Sequence, residues 1–516
     1  MQFSSLLFSC ALTMVYVTAQ IAPAVSPIGV AASSFNIDEV SLISSRFMDN
    51  QNRTLSYLKS VDLDRLLYVF RSTHKLSTNG ATPNGGWDAP EFPFRSHVQG
   101  HFLTAWAQCY AQLKDTSCRD RATTFVAELL KCQNNNAAAG FSAGYVSGFP
   151  ESEFTKLGGG TLSNGNVPYY AIHKTLAGLL DVLSSDQMQK ILQTEFGGMN
   201  EVMADIYHQT GNKQWLTVAQ RFDHTAVFNP LASNQDVLDG LHANTQVPKW
   251  IGAAREYKAT GTARYADIAR NAWAMTVGAH TYCRRLKHIQ YAEADPRARC
   301  HGSVQYYVFR LLRTGPDQPC AGPAEFIDGS WPYHYFTSLS PGGKRGVGPA
   351  WGGGTWSTDY DTHWCCQGTG LETNTKMQDS IYFHDDSTLF VNLFLPSVLN
   401  WQAKSTTIRQ TTTFPAGDTT TLTVSGSDTW TMKIRIPFWT KNASISVNDV
   451  IQTIAASPGS YATLSRSWKS GDVTIKLPMS LHIVPSNDNK SIGALAYSPS
   501  ILSGNYGTTT LSEPEA

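Results

Sequence analysis

Two adjacent cysteines, Cys365 and Cys366, stand in the run Trp364-Cys365-Cys366-Gln367-Gly368-Thr369-Gly370. The glycines Gly352, Gly353 and Gly354 and the aromatics Trp351, Trp356, Tyr360 and Trp364 lead into them. Cysteine reacts as the thiolate, which at neutral pH needs a cation, a metal ion or a helix N-terminus beside it. Side chains of adjacent cysteines diverge, so they suit each other poorly as disulfide partners, yet both can reach one metal ion. The same pair also fits two cysteines each bonded to a distant one, or two small buried hydrophobes.

Histidines are the next candidates. His97 and His101 stand four apart in Phe94-Arg95-Ser96-His97-Val98-Gln99-Gly100-His101, on one face of a helix. That spacing can hold a metal, but the glutamate between the histidines of a zinc protease is absent, and packed or hydrogen-bonded rings are expected. His173 follows Pro168-Tyr169-Tyr170-Ala171-Ile172, and His242 lies in Leu241-His242-Ala243-Asn244-Thr245-Gln246-Val247-Pro248-Lys249. Each sits near a helix start beside a polar or glycine-rich loop, where the clefts of helical toroids open. A hydrogen-bonded structural histidine is the alternative at either position. Asp359, Asp361 and Glu372 could supply ordinary carboxylates near the cysteine turn.

The elements that must position these residues change character along the chain. From about Phe35 to Asp379 the pattern is helical: Ala122, Phe125, Val126, Leu129 and Leu130 share one face, as do Ile172, Leu176, Leu179 and Leu180, and Val202, Ile206 and Tyr207. Many helices of this kind predict an α/α toroid or bundle. Beyond Ile381 the period becomes two. Leu389, Val391, Leu393 and Leu395 alternate with Phe390, Asn392 and Phe394, while Met432, Ile434 and Ile436, then Val473, Ile475 and Leu477, form further sets. Short alternating strands predict a β-sandwich, expected here to be incomplete at its C-terminal end. The expected division is a leader over 1–19, a helical catalytic domain over 20–385 and a sandwich over 386–516. Residues 283–328 break the helical pattern with three cysteines and a crowd of Arg and Lys.

Composition narrows the class. The chain has 516 residues, ample for a large core, with 40 Lys+Arg against 40 Asp+Glu. Zero net charge gives no nucleic-acid footprint and no polybasic membrane tether. Aromatics reach 11%, which suits rings stacking on sugar faces but also large cores. An apolar run from Leu6 to Val17, closed by Val17-Thr18-Ala19, reads as a secretory leader. Sequons at Asn52, Asn442 and Asn489 agree with secretion. In an oxidising compartment the cysteines beyond Cys10 favour disulfides, and Cys109, Cys118 and Cys132 lie on neighbouring helical segments.

Trp364 to Glu372, followed by Asp379-Ser380-Ile381-Tyr382-Phe383, resembles glycoside hydrolase family 127, whose type member is a β-L-arabinofuranosidase. The stretches Gly144 to Glu151, Tyr169 to Gly178 and Leu241 to Lys249 resemble its secreted fungal branch. The resemblance implies an (α/α)6 barrel followed by β-sandwich domains. It also implies a retaining mechanism in which a zinc-bound cysteine is the nucleophile and a glutamate the acid/base. By position, Cys365 would be the nucleophile and Cys366 a second zinc ligand. His173, His242 and Tyr335 would contact the sugar, and Glu293, in Tyr291-Ala292-Glu293-Ala294, would be the acid/base. The family's other two zinc ligands come from a Glu-x-Cys triplet; none follows Glu293 here, and Cys300 is a poor stand-in. Residues 283–328 are therefore expected to hold misjoined sequence.

The resulting expectation is a secreted, zinc-dependent hydrolase acting on an arabinose-containing carbohydrate of plant wall or glycoprotein. Two alternatives stand beside it: a toroid glycosidase or lyase using ordinary carboxylates, and an inactive carbohydrate-binding homologue without a complete zinc site.

Overall fold

The computed structural model describes residues 32–175, 197–241, 243–282, 285–286, 360, 368, 371–372, 374–485, 490–491 and 493–502. The helices begin where capping side chains allow. Ser45 caps α1 (Arg46–Ser60), accepting from Met48 N at 3.4 Å, and Asp62 caps α2 (Leu63–Thr73), accepting from Asp64 N at 2.8 Å. α3 (Val98–Leu113) and α4 (Thr116–Asn134) form an antiparallel hairpin in which Asp115 caps the second helix. Cys109 and Cys118 join the two helices as a disulfide, and Cys132 stays free and buried. Burial pushes the Cys132 thiol up to about 12, so it is inert at neutral pH.

Short helices α5 (Asn136–Ala139), α6 (Glu151–Gly158) and α7 (Pro168–Thr175) follow. Then come α8 (Met199–Thr210), α9 (Lys213–Arg221), α10 (Thr225–Ala232), α11 (Ala243–Thr260) and α12 (Ala263–Gly278). α3 packs on α7, α7 on α8, and α8 on α11. The crossing of α8 and α11 is close. A Cβ on Gly252 would sit 2.1 Å from the Asn200 side chain, whose Nδ2 donates to the Lys249 carbonyl at 2.9 Å.

Burial follows the expected face on α4, where Phe125 and Leu129 are buried. On α8 it does not. Met199, Met203 and Ala204 are its most buried apolar residues, while Val202, Ile206 and Tyr207 are only half-buried. The reason is that α8 has α7, α9 and α11 as neighbours, so it is covered on more than one side. Of the Ile172 set, Leu176, Leu179 and Leu180 lie outside the described residues.

β3 (Thr281–Tyr282) pairs with β4 (Arg285–Leu286), which is the described part of 283–328. The chain beyond Ile381 builds a two-sheet sandwich. One sheet has the order β1-β5-β6-β10-β13, with β1 (Ser33–Ser34), β5 (Tyr382–His384), β6 (Thr388–Val391), β10 (Thr429–Ile436) and β13 (Ser460–Ser467). The other runs β12-β11-β14-β9-β8-β7-β2, from β12 (Val450–Ile451) to β2 (Val40–Leu42). Its inner members are β11 (Ser444–Val447), β14 (Gly471–Lys476), β9 (Thr419–Ser425), β8 (Thr406–Thr412) and β7 (Ser397–Trp401). A third sheet pairs β15 (Leu481–Pro485), β16 (Gly493–Tyr497) and β17 (Ser500–Ile501).

Met432, Ile434, Ile436, Val473, Ile475 and Leu477 all point into the sandwich core, around Trp401, Trp430 and Trp468. Two details differ from the periodicity. Residues 33–42, grouped with the helical part by pattern, pair into both sheets. The alternation of β6 also slips. The strand ends at Val391, Asn392 N and Leu393 N both turn to the Ile381 carbonyl, and Phe394 is buried while Leu393 and Leu395 are partly exposed. Among the described residues no helix is long and apolar enough to cross a membrane.

Candidate active site

The loop before α3 is built around buried polar groups. Asp88 is fully buried there and accepts from Asn84 Nδ2, the Ser96 amide and Gln99 Nε2, each at 2.8 Å. Gln99 also donates to the Leu66 carbonyl at 2.9 Å, which ties the loop to α2. Burial raises the Asp88 carboxyl to about 6, and the hydrogen bonds oppose that rise. Trp87 stacks on Phe94 at 4.5 Å, and the His97 ring lies nearly parallel to Tyr170 of α7 at 6.3 Å. His97 Nδ1 donates to the Phe94 carbonyl at 2.9 Å.

His101, one turn further along α3, carries the contact that matters most. Its Nδ1 donates to Glu372 Oε1 at 2.5 Å, and both residues are buried. Lys376, one turn beyond Glu372, approaches Oε2 at 3.5 Å. Gly368 rests on the other side of the imidazole, where a Cβ would fall 2.2 Å from His101 Cδ2. Only glycine allows this approach. Five residues before Cys365, Tyr360 is fixed as well: its hydroxyl accepts from the Asp62 amide at 3.0 Å, and Arg65 lies over its ring. Tyr360 and Gly368, which flank the double cysteine in the sequence, thus meet α2 and α3 respectively.

The expected chemistry-bearing residues stand as follows. Cys365, Cys366, Glu293, Tyr335 and His242 lie outside the described residues, as do Asp359, Asp361 and Cys300. The backbone of His173 belongs to α7. His97 and His101 take the hydrogen-bonded roles expected of them, and Glu372, a candidate free acid, is engaged by His101 and Lys376. Among the described residues no group of three His, Cys, Asp or Glu side chains could hold a metal ion.

Two buried polar groups were not singled out from the sequence. Lys249 Nζ lies 2.7 Å from His224 Nδ1, at the start of α10. Burial pulls Lys249 from 10.5 to about 7, and burial with the neighbouring amine takes His224 from 6.5 to about 4. Asp223 is raised to about 6 by burial while accepting from Tyr265 Oη at 2.7 Å. Glu256 beside it is raised well above the carboxylate range by burial and by Asp223. Lone polar residues inside apolar helices give little sequence signal; Lys249, directly after Pro248 in a helix with a buried Trp250, offered the best one.

A sequence profile for the glycoside hydrolase family 127 β-L-arabinofuranosidase catalytic domain matches residues 39–183 and 179–284, and the middle-domain profile matches 388–479. The chain belongs to glycoside hydrolase family 127. It is a glycoside hydrolase, and the family's helical domain followed by a sandwich is the architecture described above. Three solved structures share that fold at a TM-score of 0.60. One, titled a glycoside hydrolase, is 15% identical, with 93% of this chain and 85% of that chain covered. A family 127 β-L-arabinofuranosidase from Geobacillus stearothermophilus T6 is 15% identical over 90% of this chain and 86% of its own. A family 127 β-arabinofuranosidase is 16% identical, over 91% and 85%. No curated protein matches the chain. The catalytic-domain match ends at residue 284, where the helical pattern breaks in the sequence.

Proposed function

We propose that this hydrolase removes terminal β-L-arabinofuranosyl groups with retention of configuration, using Cys365 as nucleophile and Glu293 as acid/base. What supports the reading is membership of family 127, with the catalytic and middle domains matched on either side of the Cys365-Cys366 turn. Cys365 sulfur attacks the anomeric carbon while Glu293 protonates the departing glycosidic oxygen. Glu293 then takes a proton from the water that displaces sulfur. His173, His242 and Tyr335 hold the sugar hydroxyls. Cys365 and Cys366 provide two of the four ligands that a closed zinc site takes, and zinc held there would supply deprotonated sulfur at neutral pH.

Secretion behind residues 1–19 and an arabinose-bearing plant-wall or glycoprotein substrate complete the reading. Glu372 is a poor alternative acid, because its carboxylate is buried against His101 and Lys376. The test is a Cys365→Ser protein assayed on an aryl β-L-arabinofuranoside beside the wild type. Serine keeps the shape but is a far weaker nucleophile, so turnover should collapse; unchanged turnover refutes the proposal.

A further inference from the structure

The sequons at Asn52, Asn442 and Asn489 have no part in the hydrolytic site. Asn489 lies outside the described residues. Asn52 is exposed on α1, while the hydroxyl of its Thr54 is buried and accepts from Asn374 Nδ2 at 2.9 Å. Asn442 is exposed in the turn between β10 and β11, with φ of 57°, and Ser444 of the same sequon opens β11 exposed.

Beside this turn runs the edge of the seven-stranded sheet. β12 is its terminal strand, and its Val450 and Ile451 are 65% and 75% exposed. Asn442 leads into β11, the strand next to that edge, four residues before Ser446. Ser446 faces Ile451, and Gln452 N donates to the Ile445 carbonyl at 2.8 Å, so the chain leading back to Asn442 runs beside the residues that follow β12. An apolar, unpaired strand edge is a template for pairing with another chain, and folded proteins cover such edges.

We propose that Asn442 carries an N-linked glycan, and that this glycan shields the β12 edge from pairing with a second copy of the chain. The assignment rests on the secretory route proposed above, where the donor, an oligosaccharide diphospholipid, is met. In the transfer, Asn442 Nδ2 bonds to the anomeric carbon of the oligosaccharide. The bond from that carbon to the diphosphate oxygen breaks, the diphospholipid leaves with the electron pair, and the amide gives up one proton.

The full chain is expressed in a eukaryotic secretory host in two forms, behind its own first residues and behind an independent leader. Peptide mapping by mass should find a glycan on Asn442 in the form with the independent leader. Ser444→Ala, which removes the sequon but keeps Asn442 in its turn, should lose that glycan mass. It should then aggregate on warming, by light scattering, at a lower temperature than wild type. Adding Ile451→Lys should restore the wild-type onset. An unmodified Asn442 in protein recovered from the medium overturns the glycan, and a Ser444→Ala protein as dispersed as wild type overturns the shielding. Retention of only the own-leader form, with Asn442 occupied in the other, supports the glycan and counts against the proposed leader.

Discussion

Alanine at Gly368 places a methyl group against a ring that has no room to retreat. The added Cβ falls 2.2 Å from His101 Cδ2, 2.6 Å from Cγ and 2.9 Å from Nε2. Carbon atoms at rest keep about 3.5 Å apart, so either the ring or the turn must move by roughly 1 Å. The ring is held from its far side by Glu372 at 2.5 Å, and moving it lengthens a buried charge-assisted hydrogen bond. Overpacking of this kind costs about 1–3 kcal/mol. If Gly368 recoils instead, the shift runs along the chain toward Cys366, two residues earlier in the sequence, and on the proposed mechanism a misplacement of about 1 Å there can cost on the order of 100-fold in turnover. The Gly368→Ala protein should therefore lose stability in urea unfolding and lose kcat on an aryl β-L-arabinofuranoside. Combining it with His101→Ala removes the clashing ring, so the double variant should recover about 1 kcal/mol relative to additivity. A purely additive cycle, or a Gly368→Ala protein as stable and active as wild type, refutes the packing argument.

Two further substitutions test the buried ionisable groups. Lys249 titrates at about 7 when folded and 10.5 when unfolded, so between those values the unfolded chain holds more protons and stability rises with pH. Lys249→Met keeps the stem and removes the amine; relative to wild type it should be more stable by about 2 kcal/mol at pH 6 than at pH 9 in urea titrations, and a pH-independent difference would contradict the assignment. Asp223 and Glu256 behave oppositely. Their folded acids hold protons that the unfolded chain releases, so their contribution is present below the ordinary 3.8 of Asp223 and fades as pH rises through about 6 and beyond. Glu256→Gln should gain on wild type by on the order of 1 kcal/mol as pH climbs from 4 to 7, read as a growing difference in melting temperature; a gap that shrinks over that range speaks against a raised Glu256 acid.

What the sequence made legible depends on how many residues carried each signal. The strands around Ile434 and Ile475 repeat with period two long enough to place their buried faces, and α4 does the same at helical spacing around Phe125 and Leu129. β1 and β2 escaped because strands of two and three residues have no period to detect. Phe394 was misassigned because one local break after Val391 inverts every later side chain. At the site, the vicinal cysteines and the glycine after them were visible by type and spacing. The pairing of His101 with Glu372, 271 residues apart in the chain, is a tertiary fact with no local trace. Asp88 and Glu256 were invisible for a related reason, and Lys249 left only a faint signal: each is one polar residue whose buried setting is supplied by other helices.

Sulfur as the attacking atom is tested most directly by alkylation. The wild-type protein is treated with iodoacetamide for increasing times, with residual hydrolysis and the label on each cysteine-containing peptide measured on the same samples. The account predicts that activity falls in proportion to the fraction of Cys365 alkylated, and that arabinose present during treatment slows both. Full alkylation of Cys365 with undiminished hydrolysis would contradict it.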